Sequence, residues 1–385
     1  MDRGIQTWRD NDNLEFLPTE DELIRVIEDP DTVGAVVLVV PETVDSDMIR
    51  NVEAPRIFKR ARETDFIVLP ILIGMNYEDA DSILNRPAGF QELKHWNLKK
   101  IKDKHLTDTD AREIANTYLK SVIRKISTST TNQELTLTVN TRSIHGQCIS
   151  GLNFNFCSYF DGRDAKPGAY ESIEVAFKDV ASIIAANYEC LKINSSGFAS
   201  LPIGVLFGAI FSPLRRFYLT WSQSFAGNKE EQWGFVVDPS SFAMNIKSAK
   251  GDTSSEEVVL GIGISANIEP AVTDYVKEIG LKPRAYVYLE PSNGPLKQGQ
   301  ALSPSEGVSV VLQVIDAIRD IKDNCMLQRV NLHLFMACPL AMAVLIGQKL
   351  NTVSRCSIYE HTPTTEQIYT HVHTFRPSDM TYTAV

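Results

Sequence analysis

An internal repeat in the second two thirds of the chain constrains the fold more than any other feature, and it is visible when residues 135 to about 375 are slid against themselves. SIEVAFKDVASIIAA (172–186) answers to VSVVLQVIDAIRDIK (308–322), with Asp179 opposite Asp316. Downstream, Pro202 falls opposite Pro339 at an offset of about 137 residues, and Gly208 and Trp221 fall opposite Gly347 and Tyr359 within about two residues of it. Each copy reads helix, strand, proline-started helix, strand: LKINSSGFASLPIGVLFGAIF then RRFYLTW, and VNLHLFMACPLAMAVLIGQKL then RCSIYE. Two small α/β units fused in this way are expected to pack with approximate two-fold symmetry. Ligands collect at the carboxyl ends of parallel strands, so one pocket shared by the two copies is the expected binding place.

Upstream, residues 4 to 125 alternate strands and helices, the pattern of a parallel sheet covered by helices. The strand candidates are Ile5–Trp8, Val33–Val40 and Phe66–Ile73; the helix candidates are Glu20–Glu28, Ser46–Arg62 and Asp110–Ile126. The polar run 127-STSTTNQE-134 has no apolar face and reads as a linker. An α/β domain over 1–126 and a repeat domain over 135–385, with halves of about 135–255 and 256–385, follow from this.

A chain of 385 residues with 43% hydrophobic content holds more than one core, which agrees with that division. The net charge of −10 excludes a duplex-DNA binder held by a broad basic face, and leaves room for a small anionic ligand in a local pocket. MDRGIQTWRD lacks the apolar core of a signal peptide, and the longest apolar run, 199-ASLPIGVLFGAIF-211, is interrupted by Pro202 and Gly204 and too short to span a bilayer. A cytoplasmic location is expected. The six cysteines lie far apart without a C-x-x-C, so they read as buried free thiols and suggest neither zinc nor disulfides.

Several segments are candidates for ligand contact. In 258-VVLGIGISANIEPAV-272 a G-x-G follows a strand and precedes a helix, but Ala266 replaces the third glycine of a dinucleotide fingerprint whose acidic residue would be Glu290. It reads better as a strand-to-helix turn with Ser265 and Asn267 facing a ligand. In 336-MACPL-340 a strand ends at Ala337 and Cys338, and Pro339 opens a helix whose free N–H groups favour an anion. The same arrangement recurs at 198-FASLP-202, with Phe198, Leu201 and Pro202, and two such helix starts aimed at one cleft suit a ligand with several phosphates. Arg163, Lys166 and Lys297 are candidate cations; Phe198, Trp221 with Ser222, and Tyr359 are candidate stacking or contact positions. His371 and His373 share a strand face with Tyr369 and Phe375, but no third metal ligand is recognisable, and the segment reads as a terminal strand closing a sheet.

In the first domain SDMIRNVEAPRIF (46–58) carries Glu53 on a helix capped by Ser46, within one turn of Arg50 and Arg56. Spacing alone leaves a surface salt bridge and a functional carboxylate equally open.

With these segments in view, residues 4 to 126 resemble a TIR domain, a flavodoxin-like fold: GIQTWRDNDNL as second strand and loop, EDELIRVIEDPDTVGAVVLVVPETVDS as helix, third strand and turn, SDMIRNVEAPRIFKRA as the helix holding the glutamate of TIR NADases, and DFIVLPILIG as the next strand. The first strand and helix of such a domain are missing ahead of Ile5, so either the gene begins upstream of Met1 or the sheet is completed in another way. Residues 135 to 375 look like a SAVED domain, a fusion of two CARF-like Rossmann units that binds cyclic oligonucleotides. The resemblance implies a TIR-SAVED effector of CBASS anti-phage defence.

That resemblance makes Glu53 the catalytic carboxylate of an NAD+ glycohydrolase, with Trp8, Arg9, Asp10 and Ser46 holding the substrate. Nicotinamide leaves as a neutral ring, so neither a general acid nor a metal is needed, and one carboxylate facing an oxocarbenium-like transition state suffices. No cofactor is implied. The implied activator is a cyclic oligonucleotide, with cyclic tri-adenylate favoured, acting through head-to-tail self-association that need not close and so gives a filament. The competing expectation keeps the nucleotide sensor and makes the first domain a non-catalytic docking module.

Overall fold

The N-terminal alternation of apolar runs and amphipathic segments folds as a parallel sheet with helices. The structure, a computed structural model, describes residues 3–5, 19–84, 93, 96, 98–103, 105–129, 134–142, 151–188, 191–224, 230–297, 299–362 and 368–380. The chain divides into a unit of residues 6–131 and a unit of residues 1–5 with 132–385.

The first of these runs α1 (Thr19–Glu28), β1 (Gly34–Val39), α2 (Ala54–Glu63), β2 (Ile67–Ile73), α3 (Tyr77–Ile83), β3 (Lys99–Ile101) and α4 (Asp108–Ser129). Its described strands pair in parallel in the order β1-β2-β3, with Gly34 opposite Ile67 and Ile73 opposite Ile101. Val37, Val39, Ala54, Ile57, Phe58 and Leu72 meet in its core. The helix expected from Ser46 is interrupted. Ser46 Oγ does accept the Ile49 N–H at 3.3 Å, as a cap should, but Ile49–Glu53 is a π turn before α2 begins. Pro55 explains it: its ring clashes with the carbonyl four residues back, and the chain relieves the clash by widening the turn, so that the Ala54 N–H reaches the Ile49 carbonyl.

The linker expectation is corrected at its start. α4 continues through Ser127, Thr128 and Ser129, since a helix already nucleated propagates cheaply where neither Gly nor Pro stops it. Residues 130–133 lie outside the described residues, and Glu134 already opens a strand.

In the second unit the first half contains β4 (Glu134–Asn140), β5 (Leu152–Asn155), a hairpin of β6 (Phe160–Asp161) and β7 (Asp164–Ala165), α5 (Ala169–Asn187), β8 (Leu191–Phe198), α6 (Leu201–Ile210), β9 (Phe217–Ser224) and β10 (Glu230–Trp233). The second half contains β11 (Met244–Lys250), β12 (Glu257–Gly263), α7 (Glu269–Glu278), β13 (Ala285–Pro291), α8 (Pro304–Asn324), β14 (Asn331–Ala337), α9 (Leu340–Gly347), β15 (Arg355–His361) and β16 (Tyr369–Phe375). The strand orders are β5-β4-β8-β9-β10 and β11-β13-β12-β14-β15-β16. Leaving out the edge strand β11, the two sheets have one topology, each with parallel central strands and a last strand added antiparallel. Strands such as β12 and β14 are buried on both faces, and this is why they read as unbroken apolar runs. Residues 3–5 belong here too: Gly4 O accepts the Asn153 N–H, and Arg3 pairs with Asp179 at 2.7 Å.

The backbone fixes how the halves correspond. The Thr141 N–H donates to Phe198 O at 3.0 Å, and the Ile264 N–H donates to Ala337 O at 2.8 Å. Phe198 therefore answers to Ala337, and Pro202 to Ala341 rather than to Pro339. The prolines occupy different helix positions: Pro202 lies inside the first turn of α6, whereas Pro339 is the residue before α9.

The halves join through α6 and α9, whose residues are almost all buried. A Cβ on Gly208 would lie 2.0 Å from Val344 O, one on Gly347 2.1 Å from Val205 O, and one on Gly204 2.7 Å from Leu340 Cδ1. Gly204 meets residues from Leu340 to Val344 and Gly208 meets Val344 and Gln348, so a step of four along α6 is a step of four along α9, and the helices run parallel and start on the same side. Two further contacts cross between the halves. Trp233 of β10 lies on Gly307 of α8, where a Cβ would meet Cζ3 at 1.9 Å, and His373 of β16 stacks on Tyr170 of α5 with ring centroids 6.0 Å apart.

Gly208→Ala places a methyl group against the backbone of α9, and overpacking of this kind costs about 1–3 kcal/mol or more. Urea denaturation of the variant is expected to show a lower midpoint for the unit of residues 132–385, and an unchanged midpoint would refute the backbone contact.

Candidate functional site at the carboxyl rim

Because α6 and α9 start on one side, the carboxyl ends of both sheets open on that side as well. On the first half the rim is built by Asn140, the last residue of β4, with Thr141 and Arg142 past it, and by Phe198, the last residue of β8, with Ala199 and Ser200 past it. Asn140 Oδ1 accepts the Phe198 N–H at 3.0 Å, and Thr141 Oγ1 accepts the Ser200 N–H at 3.1 Å. Phe198 itself is 44% exposed. Leu201 is half-buried, Pro202 is buried, and Ser222 is half-buried near the end of β9.

The second half supplies Ser265, exposed, whose N–H and hydroxyl both donate to Ala337 O. Asn267 Oδ1 accepts the Glu269 N–H at 3.1 Å and so braces the start of α7. Lys297 is exposed and follows Leu296, whose N–H bonds to Ile264 O, which places it beside Ser265. Ala337, Cys338 and Pro339 are half-buried, and burial pushes the Cys338 thiol up to about 12, so it is no thiolate nucleophile.

Two expectations for this rim are corrected. The helix start at Leu340 does not offer all its donors, because the Ala341 N–H is held at 2.8 Å by Gln223 Oε1 from the end of β9. Trp221 and Tyr359 are core residues. Trp221 packs edge-on against Phe207, and Tyr359 stacks on Phe335 with centroids 4.2 Å apart while its hydroxyl bonds to His333 Nδ1 at 2.7 Å. Both sit in strands between buried sheet faces, where an aromatic ring gains more from burial than from waiting for a ligand. Burial lowers the pKa of His333 despite its bond to Glu257, and Glu257 in turn stays ionised because His333, Asn331 and Arg355 outweigh its own burial.

What sequence reasoning missed is a polar cluster that joins the halves. Glu360, 8% exposed near the end of β15, accepts from Arg142 Nη2 at 3.0 Å. Its second oxygen, Oε2, and Arg142 Nε are both buried without a hydrogen-bond partner. Burial raises the Glu360 pKa to about 7 against the pull of Arg142 and Arg163. Arg163, on the exposed turn between β6 and β7, is thus close enough to act on Glu360, whereas Lys166 is engaged with Asp161 and the Ser158 carbonyl. The Tyr170 hydroxyl lies 3.5 Å from Ser200 Oγ, and burial and the Glu360 charge raise its pKa. Nearby, His373 Nε2 lies 2.6 Å from Glu174, and Nδ1 lies 3.6 Å from Glu171. The available signal was a glutamate at the end of one apolar strand, in SIYEH, and an arginine two residues past another, in LTVNTR.

Other candidates have structural employment. Gly261 makes room for the Tyr288 ring and Gly263 for Ala266 O, while Glu290 pairs with Lys247 at 3.0 Å, so the G-x-G serves packing. β16 forms the sheet edge as expected, and among the described residues no group of three or more His, Cys, Asp or Glu is placed to hold a metal. Among the described residues no helix is long and apolar enough to cross a membrane.

In the unit of residues 6–131, Glu53 is half-buried at the end of the π turn. The guanidinium of Arg50 donates to the carbonyls of Ile83 and Val44, and that of Arg56 donates to Val52 O and lies 3.9 Å from Glu28, so neither arginine is committed to Glu53. Ser46 spends its hydroxyl as a helix cap. Trp8, Arg9 and Asp10 lie outside the described residues.

Residues 178–375 match the SAVED family, described as the SMODS-associated and fused to various effectors sensor domain. The chain belongs to the SAVED family. No curated protein matches it in sequence. Among solved structures, the Acinetobacter baumannii Cap4 SAVED/CARF-domain containing receptor with the cyclic trinucleotide 3'3'3'-cAAA aligns over 89% of this chain and 89% of its own, at 12% identity and a TM-score of 0.52. The same receptor with 2'3'3'-cAAA aligns over 93% and 85% at 15% identity and a TM-score of 0.49, and the Moraxella osloensis Cap4 receptor over 92% and 84% at 15% and 0.46. At 12% identity the likeness to the first of these is one of fold.

The core assignments carry a test. Trp221→Ala in the SAVED unit is expected to cost about 3–5 kcal/mol of stability, and Tyr359→Phe about 1 kcal/mol for its lost hydroxyl. Chemical denaturation measures both, and a neutral Trp221→Ala would return that ring to the candidate ligand contacts.

Proposed function

We propose that the SAVED unit of this chain senses a cyclic oligonucleotide, with cyclic tri-adenylate the leading candidate, and that the unit of residues 6–131 is a TIR-type NAD+ glycohydrolase switched on by that binding. The sensing half of the proposal rests on one observation above the rest: α6 and α9 run parallel, so the carboxyl rims of two like sheets face one side and offer two related sets of contacts. A ring of repeated nucleotides suits such a rim. Family membership and the cyclic trinucleotide bound by the A. baumannii receptor support the same reading. Arg142, Arg163 and Lys297 supply positive charge for phosphates, Phe198 an exposed ring for a base, and Ser265 an exposed hydroxyl.

The enzymatic half rests on Glu53. Its place at the end of a π turn is the kind of local irregularity that accompanies function, and its position in SDMIRNVEAPRIFKRA is the one that resembles the glutamate-bearing helix of TIR NADases. In the proposed reaction the bond from the ribose carbon to nicotinamide breaks, the departing ring takes the bonding electrons and becomes neutral, the Glu53 carboxylate stabilises the positive charge left on the ribose, and water adds at that carbon and releases one proton to solvent. Ligand binding promotes head-to-tail self-association of whole chains, in which glycohydrolase units complete one another's sites. A docking role for this unit is the second reading, favoured by the exposure of Val36 and Leu38 on β1 at 41% and 47%.

The deciding experiment incubates the full chain with NAD+ and a panel of cyclic di-, tri- and tetranucleotides and follows nicotinamide release. Release confined to one cyclic nucleotide supports both halves, binding without release supports the docking reading, and neither binding nor release rejects the sensor. Glu53→Gln is expected to reduce release by several orders of magnitude with nucleotide affinity unchanged. Full activity in that variant would remove Glu53 from the mechanism.

A further inference from the structure

The two halves send matching side chains toward each other, but the matches differ chemically. Ser195 of β8 lies opposite Trp221 of β9, and its counterpart, Leu334 of β14, lies opposite Ile358 of β15, so Gln223 and Glu360, each two residues further on, answer to one another. Gln223 reaches the other half and accepts the Ala341 N–H in the first turn of α9. The counterpart of Ala341 is Pro202, which has no N–H to donate. Glu360 is thereby denied the bond its counterpart makes, and it turns to Arg142. The result is a carboxylate in contact with a guanidinium at the carboxyl rim, with Glu360 Oε2 and Arg142 Nε buried and unpartnered.

This geometry is that of an anion site already filled from within. We propose that Glu360 is an internal competitor for the ligand, a carboxylate that holds Arg142 across the boundary between the halves until a phosphate of the bound nucleotide displaces it. The proposal rests on the cyclic-oligonucleotide reading above. The two non-bridging oxygens of a phosphodiester can accept from Arg142 Nη2 and Nε together, whereas this carboxylate bonds to Nη2 alone and leaves Nε without a partner. The exchange frees Glu360, which faces Arg163 and Asp164 from the β6–β7 hairpin, the Tyr170 hydroxyl from α5, and Thr370 across from it on β16. A released carboxylate beside a phosphate is unfavourable, so it takes up a proton, and its raised pKa puts that event near neutrality.

Above about pH 7 Glu360 is ionised and competes; below it Glu360 is neutral and Arg142 is open to the phosphate. Calorimetric titration of the full chain with 3'3'3'-cyclic tri-adenylate, and with cyclic di- and tetra-adenylate, is to be run at pH 6 and pH 8 on wild type and Glu360→Gln, after thermal melts have shown both folded. Wild type is expected to bind about tenfold more tightly at pH 6, and Glu360→Gln to bind at pH 8 with roughly the wild-type affinity of pH 6 and with most of the pH dependence gone. Glu360→Met, which keeps the volume, replaces the glutamine variant if that one melts below the assay temperature. A folded variant that binds no more tightly than wild type at pH 8, or that keeps the full pH dependence, overturns the proposal and leaves the sensing reading in place. Absence of binding to every cyclic nucleotide by all proteins overturns the sensing reading and the proposal together.

Discussion

The contact between α6 and α9 is the constraint on which the SAVED unit depends. Neither helix has a polar face: α6 is buried from Pro202 to Ile210 and α9 from Ala341 to Gly347, so each can be covered only by the other and by the sheets. Close approach requires Gly208 and Gly347, since a methyl group at either would press on a carbonyl of the opposite helix. Once the pair is parallel, the remaining geometry is set. The strands that feed these helices must end on one side, the edge strands β10 and β16 must cross to the long helices of the opposite half, and the carboxyl rims must share a surface. The shared rim of the two sheets is a consequence of two glycines allowing two backbones to touch.

Symmetry of backbone has not kept symmetry of chemistry. Where Trp233 covers Gly307, the related place has His373 stacked on Tyr170 and held by Glu174. Glu174 stays ionised in spite of its burial because His373 and Lys178 bond to it. Where Gln223 caps α9, Pro202 leaves α6 without the matching donor and Glu360 pairs with Arg142. In each case one version of the contact carries no carboxylate, Trp233 on Gly307 and Gln223 on the Ala341 N–H, and the other version does, Glu174 with His373 and Glu360 with Arg142. Burying an ion pair adds little stability, because desolvation offsets most of the attraction. The Arg142–Glu360 pair is therefore better explained by what it does at the rim than by what it adds to folding.

The repeat was legible because its glycines are not free to vary in kind: close helix packing fixes Gly208 and Gly347, and those positions align in sequence and in space. The prolines misled for the opposite reason. A proline is tolerated at several positions around a helix start, so Pro202 and Pro339 look equivalent in a string of letters and are not equivalent in the backbone. Trp221 and Tyr359 look like ligand platforms because an aromatic residue near a strand end carries no mark of which sheet face it joins. The decisive pair, Arg142 with Glu360, joins residues more than two hundred positions apart and could not be paired without the fold.

The other unit shows how a local defect does what a long-range pattern does in the SAVED unit. Pro55 cannot take its place in a continuous helix, so the chain inserts a wider turn from Ile49 to Glu53. One extra residue in a turn rotates the segment before it by about 100° relative to the segment after it. The residues after the turn, Ala54, Ile57 and Phe58, are buried in the core, whereas none of Ile49–Glu53 is fully buried. Pro55 thus lets the chain anchor α2 firmly while leaving a carboxylate at its head out of the core. A continuous helix would have carried Glu53 on a face set by the burial of its neighbours, and its placement would have been decided by packing. With the π turn the two are uncoupled, and Glu53 stays half-buried beside the fully buried Ala54.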